Sequence, residues 1–195
     1  VHYIPPLTAN DLQQGGGGSI PYDQYLYLST PSTSDVTVKI TLLSTGQEIT
    51  YTDLRNNNPK VYQLTTDNPN QEQALNGVLF VDKDSTGSNT LSSGLVIEAD
   101  CPVYASIRYN AGAQAGALVS KGDASLGTHF RTGMMTNGNQ TEENQVQNGT
   151  NSHNLNFISV MATQDNTIVR FDLPNATSNL RIANYSYNGN PIVKT

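Results

Sequence analysis

Residues 103–133 read VYASIRYNAGAQAGALVSKGDASLGTHFRTG, and the fold class is decided here. Val103, Ala105, Ile107 and Tyr109 alternate with Tyr104, Ser106, Arg108 and Asn110. That is the two-residue period of a strand with one buried face. Gly112, Gly116, Gly122 and Gly127 follow, interrupted by the apolar triplet Ala117, Leu118 and Val119. These small residues predict a tight connection with close backbone approach, and Thr128–Thr132 predicts a second strand.

Working outward, Val36, Val38, Ile40 and Leu42 alternate with Thr37, Lys39 and Thr41, and Gly46 turns the chain into 47–51. This predicts a hairpin with one buried face. In Gln24–Ser29, Tyr25 and Tyr27 share one side and Leu26 and Leu28 the other. Pro5-Pro6 makes Val1–Leu7 an edge strand or an extended segment, and Asn56–Pro59 is turn chemistry before a short strand at Lys60–Leu64. Val78–Val81 and Gly94–Ala99 are read as a further hairpin. So are Ile182–Tyr187 and Ile192–Val193 around Asn188-Gly189, and Leu155–Ala162 and Thr167–Phe171 as strands joined by a turn at Asp165-Asn166. Ala74–Gly77 is a candidate helical turn, and Gly15–Ser19 a natural loop tip.

Short strands separated by turn residues, without helical periodicity, predict an all-β chain: an antiparallel β-sandwich, Ig-like or jelly-roll-like, with long polar loops. Residues 1–195 are read as a single β domain or the N-terminal part of a larger one, with two packed β-subdomains as a variant. The stretch 136–154 contains Val146 as its sole apolar residue apart from glycine and is assigned to a long polar surface loop. The strand-like end at NPIVKT suggests that the chain is a piece of a longer protein.

Charged residues are 13% of the chain, against about 25% in an average soluble domain. A net charge of -6 argues against a nucleic-acid footprint and against a basic membrane-binding patch. No apolar run reaches the roughly 18 residues of a membrane span. Cys101 is the one cysteine, so no intrachain disulfide forms; it reads as a small buried residue at the start of a strand.

The chemistry-bearing residues are sparse. His2, His129 and His153 lack metal-ligand spacing and read as solvated or packing residues. Asp123, Ser125 and His129 are the residue types of a hydrolase triad, without the elbow motif that would expose the serine. The glycines at 112, 116 and 122 match no phosphate-binding loop. Residues 82–88, DKDSTGS, place Asp82, Asp84 and Thr86 at the oxygen-bearing positions of a calcium loop with Gly87 sixth. Position twelve is Ser93 instead of the bidentate glutamate. The stretch reads first as a turn, with Asp82 and Asp84 as candidate calcium ligands and no other cofactor implied. Tyr25 and Tyr27, like Tyr185 and Tyr187, would stack on sugars or a protein partner if exposed. Interior packing is the first reading of both pairs. Four glycosylation sequons, at Asn139, Asn148, Asn175 and Asn184, are unsurprising in a chain of this composition.

Four pieces together carry a resemblance: HYIPPL at His2–Leu7, QYLYLSTP at Gln24–Pro31, RYNAGAQAGALVSKGDASLGTHFRTG at Arg108–Gly133, and FISVMATQDNTIVRF at Phe157–Phe171. They resemble the bacterial IgGFc-binding-protein N-terminal domain. This resemblance implies a module of a large, secreted Bacteroidota cell-surface protein, of the type IX-secreted, gliding-motility kind. It supplies no catalytic residues, and the immunoglobulin binding of a distant animal mucin-like protein is not carried over.

The expected function is therefore a non-enzymatic, extracellular adhesin or filament module that presents polar loops to polysaccharide or surface proteins. Other domains of the same long chain would be its neighbours. Tyr25, Tyr27, Asn139 and Asn144 are the candidate binding residues. A structural spacer or filament-tip domain is the alternative. A glycan-active hydrolase is the third, and it would need paired carboxylates in a cleft. Glu142-Glu143 are adjacent, and Glu98 and Asp100 are better explained at a strand end.

Overall fold

The hairpin expected around Gly46 is present and forms the middle of one sheet. Strand β4 (Val36–Leu42) runs antiparallel to β5 (Gln47–Leu54). Gly46 takes φ +69 at the turn, where its N–H donates to the Leu42 carbonyl at 2.8 Å. Only glycine enters that left-handed region freely. A register shift between Val36 and Val38 bends the pair near its far end.

The computed structural model describes residues 1–8, 23–64, 78–81, 93–111, 114–132, 158–172, 181–182, 185–186 and 192–194. Within these, the chain is an all-β antiparallel sandwich of two four-stranded sheets, neither closed into a barrel. The first sheet has the order β1 (His2–Ile4), β8 (Leu95–Ala99), β4, β5. The second has the order β10 (Gln114–Ser120), β9 (Tyr104–Ala111), β3 (Asp23–Ser29), β6 (Lys60–Gln63).

Alternation decides what each strand turns inward. Val36, Val38, Ile40, Leu42, Leu95, Ile97 and Ile4 come from the first sheet, and Leu26, Leu28, Ala105 and Ile107 from the second. All are buried, and Leu26, Val38, Ile40, Ile97 and Ile107 completely so. Each Val, Leu or Ile among them stabilises the sandwich by about 1.5–3 kcal/mol relative to exposure. Because the side-chain period is two, a one-residue slip of any strand would put its whole apolar set in water.

Polar contacts close both flanks. At one, the His2 ring contacts the Ser120 hydroxyl at 2.9 Å and the Val103 carbonyl at 3.1 Å, linking β1 to β10 and to the start of β9. At the other, Lys60 of β6 meets Asp53 of β5 at 2.7 Å. The Asn58 amide donates to the same carboxylate at 2.9 Å. These two residues hold the Asp53 carboxyl below its ordinary value, Lys60 contributing most.

Several expectations are corrected. Val78–Val81 and Gly94–Ala99 do not pair as a hairpin. Strand β7 (Phe80–Val81) lies parallel to β2 (Leu7–Thr8), while β8 enters the first sheet between β1 and β4. The reason is visible in burial: Val78, Leu79 and Phe80 are consecutive and all buried, so this segment plugs the core and does not lie along a sheet surface. The chain between Ala113 and Lys121 is not a connection but strand β10, and Thr128–Thr132 is an exposed segment outside any strand. Of Leu155–Ala162, residues 158–162 form no strand; Ile158 and Val160 face water, and the Ser159 hydroxyl donates to the Pro6 carbonyl.

Strand β14 (Ile192–Lys194) pairs with β11 (Val169–Phe171), not with the strands before it. Those are β12 (Arg181–Ile182) and β13 (Tyr185–Ser186), which pair with each other. The turn at 165–166 is present, with Asn166 at φ 59. Cys101 is exposed, not buried. It lies in the tight crossing from β8 to β9, whose backbone is held instead by its neighbours. The Asp100 N–H donates to the Thr37 carbonyl, and the Thr30 hydroxyl to that of Pro102. Gly15–Ser19, Ala74–Gly77, the loop 136–154, Asn188-Gly189 and Tyr187 lie outside the described residues.

Candidate functional site

The outer faces of the two sheets differ in chemistry. On the first sheet the outward positions of β4, β5 and β8 include Thr37, Lys39, Thr41, Glu48, Thr50, Val96 and Glu98. Lys39 is fixed between Glu98 at 2.8 Å and Glu48 at 3.4 Å. Both carboxylates, Glu98 first, push the Lys39 pKa up. This face is self-neutralised.

The second sheet presents aromatic and small apolar side chains. Strand register builds the face directly. Tyr25 stands opposite Arg108, Tyr27 opposite Ser106, and Ser29 opposite Tyr104. On the flanks, Val61 of β6 lies opposite Tyr27, and Ala117 and Val119 of β10 lie opposite Arg108 and Ser106. Tyr104 is 66% exposed, Val119 66%, Val61 49% and Tyr27 39%. Tyr25 is half-buried, its ring centroid 6.3 Å from that of Tyr27 with planes tilted by 54°. Exposed apolar groups such as Tyr104, Val119 and Val61 on one sheet face are the usual mark of a contact surface.

Arg108 sits inside this set. Its guanidinium carbon lies 5.8 Å from the centroid of the Tyr27 ring, a cation–π arrangement. Lys39, Arg55, Lys60 and Arg170 each sit on a carboxylate. Arg108, like the exposed Lys121 and Arg131, has no carboxylate partner among the described residues, and it is the one of the three on this sheet face. The one described carboxylate on this face, Asp23, is at its end, where the Asn110 amide donates to it at 3.3 Å.

The candidate binding residues divide accordingly. Tyr25 and Tyr27 do share a face, as alternation requires, but it is the outer one, so interior packing does not describe Tyr27. Asn139 and Asn144, the candidate calcium ligands Asp82 and Asp84, and Tyr187 lie outside the described residues. Sequence alone does not mark Tyr104 and Arg108 as binding residues. The available signal was their place on the polar side of the 103–110 alternation, but the register that sets them beside Tyr25 and Tyr27 is a long-range property.

The triad residue types do not converge. The Ser125 hydroxyl donates to the Gly122 carbonyl at 2.8 Å, His129 contacts the Thr128 hydroxyl, and Asp123 lies 3.2 Å from the Val1 nitrogen. Asp100 accepts the Thr37 N–H at 3.1 Å, a strand-end role like the one expected. Among the described residues no group of three or more His, Cys, Asp or Glu side chains is placed to hold a metal. No helix among them is long and apolar enough to cross a membrane. Compared with family models, curated proteins and solved structures, the chain matches none.

Proposed function

We propose that this domain is a non-enzymatic attachment module of a secreted cell-surface adhesin, holding polysaccharide or protein surfaces on the outer face of its second sheet. The observation that carries this reading is the registered set Tyr25, Tyr27, Tyr104, Arg108, Val61 and Val119 on one sheet face. A sheet backed by a buried aliphatic core holds aromatic rings at fixed spacing, so little conformational entropy is lost on binding. Tyrosine offers both a stacking face and a hydroxyl, which suits amphipathic ligands such as sugars. The resemblance of 108–133 and the other quoted runs to the bacterial surface-protein domain supports the extracellular setting, with gliding-motility adhesins of Bacteroidota and type IX secretion as its context. Further domains of a longer chain would carry the module to its target.

The test is a glycan and matrix-protein array with the purified domain. The attachment reading expects binding that is lost in the Tyr25→Ala/Tyr27→Ala variant while the melting temperature is kept. Failure to bind any member of the array would favour a structural spacer or filament-tip domain.

A further inference from the structure

Resting on the attachment reading above, we infer that the outer face of the second sheet takes a polysaccharide that carries carboxylates, with Arg108 as the group that recognises them. Charge complementarity argues for it. The complementarity is local and works against the chain total of -6, and the first sheet's outward cation is consumed by Glu98 and Glu48. On the second sheet, Arg108 is exposed, lies over an aromatic ring and keeps its guanidinium donors away from any described carboxylate. A guanidinium is planar and presents paired donors that match a carboxylate in a bidentate fork. The contact with Tyr27, 5.8 Å from guanidinium carbon to ring centroid, uses none of the donors.

Around it are the parts a sugar chain needs. Tyr104, 66% exposed, offers a ring for the carbon-bound hydrogens of a pyranose face, and Tyr27 beside it carries Arg108. Ser29 and Ser106 lie on the same face, the first opposite Tyr104 and the second opposite Tyr27. Asp23, the group that would repel an acidic chain, is at the end of the face and bonded to Asn110. Small outward residues on β10, Ala115 and Ala117, leave the approach to Arg108 low on that side. A neutral sugar chain would use the rings and leave the guanidinium without a partner.

Polygalacturonate, its fully methyl-esterified form and a neutral β-glucan are the probes, with binding measured by titration calorimetry at about 0.1 M salt. Methyl esterification removes the carboxylate charge and keeps the sugar rings. The expected result is binding of polygalacturonate that weakens about tenfold or more on esterification, consistent with loss of a charge-assisted hydrogen bond. Arg108→Gln should reproduce that loss, and Arg108→Lys, which keeps the charge without the fork, should recover only part of it. Melting temperatures of both variants should match the wild type, since Arg108 is exposed. Equal binding of the acid and the ester, or of wild type and Arg108→Gln, overturns the inference and leaves the attachment reading standing. Binding of none of the three probes, or a dimer in solution that Tyr104→Ala dissociates, overturns it as well.

Discussion

The Tyr109 ring covers Gly116 on the neighbouring strand. The two residues are direct cross-strand partners on the inner face, and a Cβ placed on Gly116 would come within 2.2 Å of the Tyr109 Cζ. The ring is not at liberty to swing aside, because it also meets Phe80 edge-on at a centroid distance of 5.1 Å. Glycine at 116 is therefore explained by close approach of a neighbour, not by backbone conformation.

Gly116→Ala should overpack this corner and destabilise the domain by about 1–3 kcal/mol, measured by chemical denaturation. Combining it with Tyr109→Leu should recover part of that loss, because the two sites share one space and so couple. Additive losses would show that the ring and the glycine do not constrain each other.

Gly94 and Gly46 make a controlled comparison. Gly94 has φ +107, and an added Cβ would lie 2.6 Å from the Ile4 carbonyl oxygen, a backbone atom. Gly46 has φ +69 with open space around it. Gly46→Ala should cost about 1–2 kcal/mol, the left-handed penalty alone. Gly94→Ala adds a clash with the β1 backbone and should cost roughly 2–4 kcal/mol. Equal melting temperatures for the two variants would contradict the placement of β1 against Gly94.

His2 links stability to pH. Burial lowers its pKa below the ordinary 6.5, and the Val103 carbonyl opposes this only in part. Asp123 also raises it. The folded state thus binds the proton less readily than the unfolded chain. Stability from this group is complete above pH 6.5 and is lost as pH falls below that value toward the folded-state pKa. The wild type should lose stability more steeply between pH 7 and 5 than His2→Gln, in denaturant midpoints measured across the range. Parallel curves would show that the His2 ring is not desolvated at the β1–β10 flank.

Much of the sandwich is legible in the sequence, and what is missed has a common cause. Alternation over Val36–Leu42, Gln24–Ser29 and Val103–Asn110 identifies strands and their buried faces, because burial on one side imposes a period of two. Pairing partners are not encoded locally. Nothing near Phe80 announces a parallel partner at Leu7, and nothing near Ile192 announces Val169–Phe171. Strand β10 is hidden because Gln114–Ser120 is mostly small residues, whose fit under Tyr109 depends on a ring from another strand. Thr128–Thr132 alternates without being buried, so periodicity there has no core to serve. The binding face is half legible: Tyr25 and Tyr27 declare a shared side, but whether that side is inner or outer is decided by Leu26 and Leu28 meeting the first sheet. Tyr104 and Arg108 join them only through the β3–β9 register.

The central claim is that the second sheet's outer face makes the contact. Backbone amide shift mapping by NMR, with polygalacturonate titrated into labelled protein, tests it most directly. The account predicts perturbations concentrated at Tyr25, Tyr27, Tyr104, Arg108 and Val119, with Lys39, Thr50 and Glu98 on the opposite sheet unmoved. Perturbations centred on that opposite sheet, with the tyrosine face silent, would contradict it.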